Sequence, residues 1–91
     1  MPTFTMTYTR ESTNVDWFRY PADVVAHRKS LKMISHTTSV SVDNLTMSRI
    51  SQFETQEDLD TFINDPVLAS VASDRAAYDK FFNITVETEI S

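Results

Sequence analysis

Apolar and polar residues alternate cleanly at the start of the chain. Phe4, Met6 and Tyr8 point one way and Thr3, Thr5, Thr7 and Thr9 the other, which predicts a strand over Thr3–Glu11. Trp17, Tyr20, Val24, His27, Leu31 and Ile34 then recur at three-to-four spacing, which predicts a helix that begins properly at Pro21 and ends near His36. Alternation returns in strands at Thr38–Asp43 and Leu45–Glu54. Asp43-Asn44 reads as a two-residue hairpin turn between them, with Val42 opposite Leu45 and Val40 opposite Met47. After Met47 the apolar phase moves through Ile50 to Phe53, which predicts a bulge or a strand buried on both faces. A helical region follows over Gln56–Phe82, with Thr55 as N-cap, Asp58 in a capping-box position and a break at Pro66. A last strand is expected at Ile84–Ile90.

This order, βαββαβ, is that of an α+β ferredoxin-like sandwich: an antiparallel sheet with both helices on one face. Ninety-one residues are expected to make a single domain over 1–91. The other sheet face would carry Thr3, Thr5, Thr7, Thr9, Ser39, Ser41, Thr46, Ser48, Thr85, Glu87 and Glu89. Such a face must be wet, paired with a second copy or filled by a ligand.

Composition removes several chemistries. Glycine is absent, so there is no Gly-rich phosphate loop or dinucleotide fingerprint, and positions of positive φ should fall to Asn44, Asn64 and Asn83. Cysteine is absent too, which excludes thiolate nucleophiles and Cys-ligated metals, and favours a reducing, cytoplasmic setting. No metal site is expected, since nine residues on a helix do not bring His27 and His36 onto adjacent turns. No segment is apolar enough to span a membrane.

The net charge of −5 is uneven. Residues 1–36 hold five Lys/Arg against three Asp/Glu, and residues 37–91 hold three against ten. The acidic second half and a sheet face of hydroxyls and carboxylates argue against nucleic acid as a partner. Arg28, Lys29 and Lys32 read as a solvated helix face.

The opening Thr-Phe-Thr-Met-Thr-Tyr-Thr-Arg strand and the Gln-Glu-Asp-Leu-Asp-Thr-Phe-Ile-Asn-Asp-Pro stretch, followed by Arg75, Tyr78 and Ile84, resemble the dimeric α/β barrel superfamily. That group includes the antibiotic-biosynthesis-monooxygenase-like proteins. The resemblance implies a homodimer whose sheets form a barrel, and a small-molecule ligand, with cofactor-free monooxygenase-like activity in many members. A structural or interaction module without catalysis is the alternative. The haem-degrading members carry a His on the second helix, and Gln56–Phe82 has none. No cofactor is therefore expected.

Among candidate site residues, His27 lies on the apolar stripe and could serve as a base near pH 7, or as a structural histidine bonded to the sheet. His36 reads as a helix-end residue facing the C-terminal dipole. Trp17 and Tyr20 could wall a pocket or cap the core. Arg49, inside a strand, could anchor a ligand or pair with Glu54, Glu87 or Glu89 in the barrel lining. Arg75 reads as the partner of Asp79 one turn later, and Tyr8 as core.

Overall fold

The computed structural model describes residues 1–91. Its elements are β1 (Thr3–Thr9), α1 (Ala22–Ser30), β2 (Met33–Val40), β3 (Thr46–Phe53), α2 (Gln56–Ile63), α3 (Pro66–Phe81) and β4 (Thr85–Ile90). The four strands form one antiparallel sheet in the order β2-β3-β1-β4, the ferredoxin-like arrangement the layout predicts. The central strands are β1 and β3, in register Met6↔Arg49 and Tyr8↔Met47.

Alternation works as expected in β1. Tyr8 is buried at 3% exposure, and it joins Met47 and Ile84 in a small core cluster. Phe53 of β3 and Leu59 of α2 are both at 0% exposure, and Phe53 packs on Phe62 of α2 with ring centroids 5.1 Å apart. Only 10 of 91 residues are buried, so the hydrophobic contribution to stability is thin for this chain.

The helix ends follow local chemistry. The Thr55 side chain accepts from the Asp58 amide at 3.1 Å and starts α2. The break at Pro66 occurs because Asp65 caps α3: one carboxylate oxygen accepts from the Val67 and Leu68 amides at 3.0 and 3.1 Å, and Pro66 occupies the first helical turn.

Four expectations are corrected. The first helix ends at Ser30, and Met33–Val40 is strand, so His36 sits on β2 and not at a helix end. Leu31 and Ile34 continue the helical spacing, but pairing β2 with β3 satisfies a full row of backbone groups, and the β-branched run Ile34, Thr37, Thr38 and Val40 suits a strand. The β2–β3 connection is longer than two residues. Val40 does pair with Met47, but Ser41 closes the loop to Thr46 and Val42 is wholly exposed. The β3 strand has no bulge: Met47, Arg49, Ser51 and Phe53 all turn to the helices, and the irregularity lies in β2 between Met33 and Ser35. Asn44 and Asn83 have φ of 60° and 58°, as expected of residues that tolerate the left-handed region, while Asn64 has φ −93°.

Candidate functional site

Between the sheet and the helices lies a cavity of about 170 Å³. Its floor is the helix-facing side of the sheet: Phe4, Met6 and Tyr8 of β1, Arg49 and Ser51 of β3, and His36 of β2. Tyr20, Val24, Val25 and Arg28 close it from the α1 side. Phe62 and Ile63 of α2, with Leu68, Ala69, Val71, Ala72 and Arg75 of α3, form the roof. The site faces the helices. The open Ser/Thr face lies on the other side of the sheet, where Thr5, Thr7, Glu87 and Glu89 line a separate, polar space.

The polar groups are unusual for an acidic protein. Three of its eight Lys/Arg residues line the cavity, and none of its thirteen Asp/Glu does. The guanidiniums are stacked on two tyrosines. Arg28 lies 5.7 Å and Arg49 4.9 Å from the Tyr20 ring centroid, and Arg49 and Arg75 lie 5.6 and 5.5 Å from that of Tyr8. Cation–π attraction of about 0.5–2 kcal/mol per pair holds such an array without neutralising it. Arg75 is satisfied by Asp79 at 2.5 Å. Neither Arg28 nor Arg49 takes part in either ion pair of the molecule.

The titratable groups respond to this field. Burial, with a smaller push from Arg28 and Arg49, lowers the His36 pKa from its ordinary 6.5. Its Nδ1 lies 3.0 Å from Ser51 Oγ, a bond to a residue buried at 4% exposure. Arg28 is lowered first by burial and then by Arg49. Burial drives the Tyr8 phenol well up, and its hydroxyl donates to Met6 Sδ at 3.3 Å, so this phenol stays protonated at neutral pH. Burial raises the Asp79 carboxyl as well, against the opposing pull of Arg75.

The four candidate residues separate. Tyr20 and Arg49 meet at the cavity wall. Arg49 pairs with none of Glu54, Glu87 and Glu89. Trp17 lies outside the cavity, edge-on to Tyr8 at 6.4 Å and beneath the Arg10 guanidinium at 4.4 Å, beside a void of only about 10 Å³. His27 also lies outside it. Its Nε2 is 2.9 Å from both Asp65 carboxylate oxygens, so it ties α1 to the cap of α3. No three His, Asp or Glu side chains converge as a metal site.

Sequence reasoning missed Arg28, His36 and Arg10. Arg28 was hidden in a helical charge run and His36 by the wrong element. Arg10 is buried at 6% exposure, donating to the Asn44 carbonyl at 2.9 and 2.7 Å and to the Val15 carbonyl at 2.7 Å. A lone Arg at the end of an alternating strand was the available signal.

No protein-family model matches the sequence, and no curated protein matches it. Solved structures do. SnoaB, a cofactor-independent oxygenase from Streptomyces nogalater, is similar at TM-score 0.68 and 14% identity, over 99% of this chain and 89% of that one. A dimeric ferredoxin-like protein from an uncultured marine organism gives 0.68 and 11%, over 99% and 91%. A Deinococcus radiodurans structure, provisionally assigned as an antibiotic biosynthesis monooxygenase, gives 0.60 and 11%, over 100% and 90%. At such identity the likeness speaks for the fold. The chain has the ferredoxin-like fold shared by these structures, in keeping with the resemblance that its layout carries.

Proposed function

We propose that the protein is a homodimer that binds a small molecule in the cavity between its sheet and its helices, and that it acts on this ligand as a cofactor-free, monooxygenase-like enzyme. The observation that carries the reading is the cavity itself: about 170 Å³, mostly apolar, with a few polar groups converging on it. An apolar protein cavity of about 150 Å³ is enough to hold a benzene ring. The activity rests on fold analogy with an oxygenase that needs no cofactor. In such chemistry the ligand's own anion supplies electrons to dioxygen, so the site must accept a proton and steady a negative charge. His36, kept neutral at pH 7 by its lowered pKa, supports the first role, and Arg28 and Arg49 support the second. Dimerisation is supported by the thin core and by the dimeric fold neighbour. The lack of cysteine supports a cytoplasmic setting.

One observation favours binding without chemistry. Tyr8 cannot act as a base, and His36 is exposed on an edge strand, so no proton acceptor is buried in the cavity.

The test is a titration of the protein with single-ring aromatic compounds, read by calorimetry, beside Ala72→Trp, which fills the cavity. Saturable binding to the parent, lost in the variant, is expected. Binding that survives Ala72→Trp would remove the cavity from the account. Light scattering should report twice the chain mass of 10.4 kDa, and a 10.4 kDa species would remove the dimer.

A further inference from the structure

The charge pattern of the cavity says more than its volume does. Arg28 comes from α1, Arg49 from β3 and His36 from β2, so three separate elements bring basic groups to one wall. Arg75 adds a third guanidinium, but Asp79 answers it. Arg28 and Arg49 have no such answer. Neither has a carboxylate partner, and neither donates a side-chain hydrogen bond to protein. Tyr20 stacks against both and so holds the two like charges beside one ring.

Bringing two guanidiniums together beside an apolar space is costly, because burial and mutual repulsion both oppose it. The lowered pKa values of Arg28 and His36 record that cost. Arg10 shows how this chain settles a structural guanidinium, on backbone carbonyls, and Arg28 and Arg49 have no such acceptors. A carboxylate or phenolate between Arg28 and Arg49 would use their free donors, and an arginine fork suits such a group. Phe4 and Phe62, 6.0 Å apart and edge-to-face, with Val71 and Ala72 above, offer the remaining surface to a flat apolar body.

Resting on the reading of this cavity as a small-molecule site, the geometry points to a ligand that is a single-ring aromatic anion, its charged group held by Arg28 and Arg49 and its ring held among Phe4, Phe62, Val71 and Ala72. The cavity volume is that needed for one ring. The charge sets the ligand class: the protein as a whole repels anions with its net −5, and this wall, free of carboxylates, invites one.

The experiment is calorimetric titration of the full chain with benzoate, benzamide and 2-naphthoate. Arg49→Gln and Arg28→Gln are compared with Arg19→Gln, which lies outside the cavity. Circular dichroism checks that each variant is folded. Should Arg49→Gln fail to fold, the Arg28 variant carries the test alone. Benzoate should bind at least tenfold more tightly than benzamide and than 2-naphthoate. Arg49→Gln and Arg28→Gln should each remove most of that preference, and Arg19→Gln should leave it in place. Equal binding of benzoate and benzamide would overturn the anion assignment and leave the cavity reading standing. Tighter binding of 2-naphthoate would overturn the single-ring assignment. A benzoate preference that both cavity variants retain would place the anion elsewhere and overturn the proposal. Binding of none of the three would remove this inference and the small-molecule reading together.

Discussion

Arg10 and Arg49 lie at the two ends of one problem, a guanidinium taken out of water. Arg10 is almost fully buried, and its donors go to the Asn44 and Val15 carbonyls while its face lies on Trp17. It pins the β2–β3 loop and the lead-in to α1 onto the end of β1. Arg49 is half-buried, stacked on Tyr8 and Tyr20, and has no carboxylate partner. The difference separates structure from function. Arg10 has spent its hydrogen bonds on the fold, whereas Arg49 has no acceptor within it, as the proposed ligand role requires.

The sharpest way to break this contrast is to remove each residue in turn. Arg10→Ala leaves two carbonyls unpaired and frees the lead-in, at a cost of about 3 kcal/mol. In thermal unfolding that is a Tm fall of more than about 10 °C for a chain of this size. Arg49→Gln should cost clearly less than Arg10→Ala, because the stacking lost on Tyr8 and Tyr20 is offset by relief of the repulsion with Arg28 and no hydrogen bond is broken. Similar losses in the two variants would end the distinction.

A smaller effect tests the partner of Arg10. Asn44 offers its carbonyl from a backbone at φ 60°. Asn44→Ala should cost about 1 kcal/mol and Asn44→Gly almost nothing, read by denaturant titration. Equal losses would mean that the side chain and not the backbone conformation matters.

The last contrast is between His36, facing the cavity, and His27, spent on Asp65. The bond to His27, and then those to the Leu68 and Val67 amides, hold the Asp65 carboxyl below its ordinary value of 3.8. A carboxyl whose folded pKa is depressed adds stability above its unfolded value and loses it as pH falls through the folded one. Asp65→Asn should therefore flatten the acid limb of the stability curve below about pH 4 and leave ligand binding at pH 7 unchanged. An unchanged acid limb would show that the His27–Asp65 bridge carries no stability.

Much of this was legible in the sequence, for physical reasons. The alternation of β1, the Thr55 cap and the Pro66 break are local signals, and the structure follows each of them. Arg49 and Tyr20 were legible as candidates because each stood out from its neighbourhood. The start of β2 was not, since Leu31 and Ile34 satisfy a helical period that only pairing with β3 overrides. That one shift hid His36. Arg28 was hidden because a helical charge run looks the same whether one member turns inward or all face water. The side of the sheet that holds the cavity depends on how far the helices stand off, which spacing along a chain does not encode.

The central claim is that the ligand sits on the helix side of the sheet and not on the open face. The most direct measurement is a ¹H–¹⁵N NMR titration of the labelled protein with benzoate. The account predicts perturbed amides at Val24, Arg28, Arg49, Ser51, Val71 and Ala72, with Thr5, Thr7, Glu87 and Glu89 of the open face unmoved. Perturbations confined to Thr5, Thr7, Glu87 and Glu89 would contradict it.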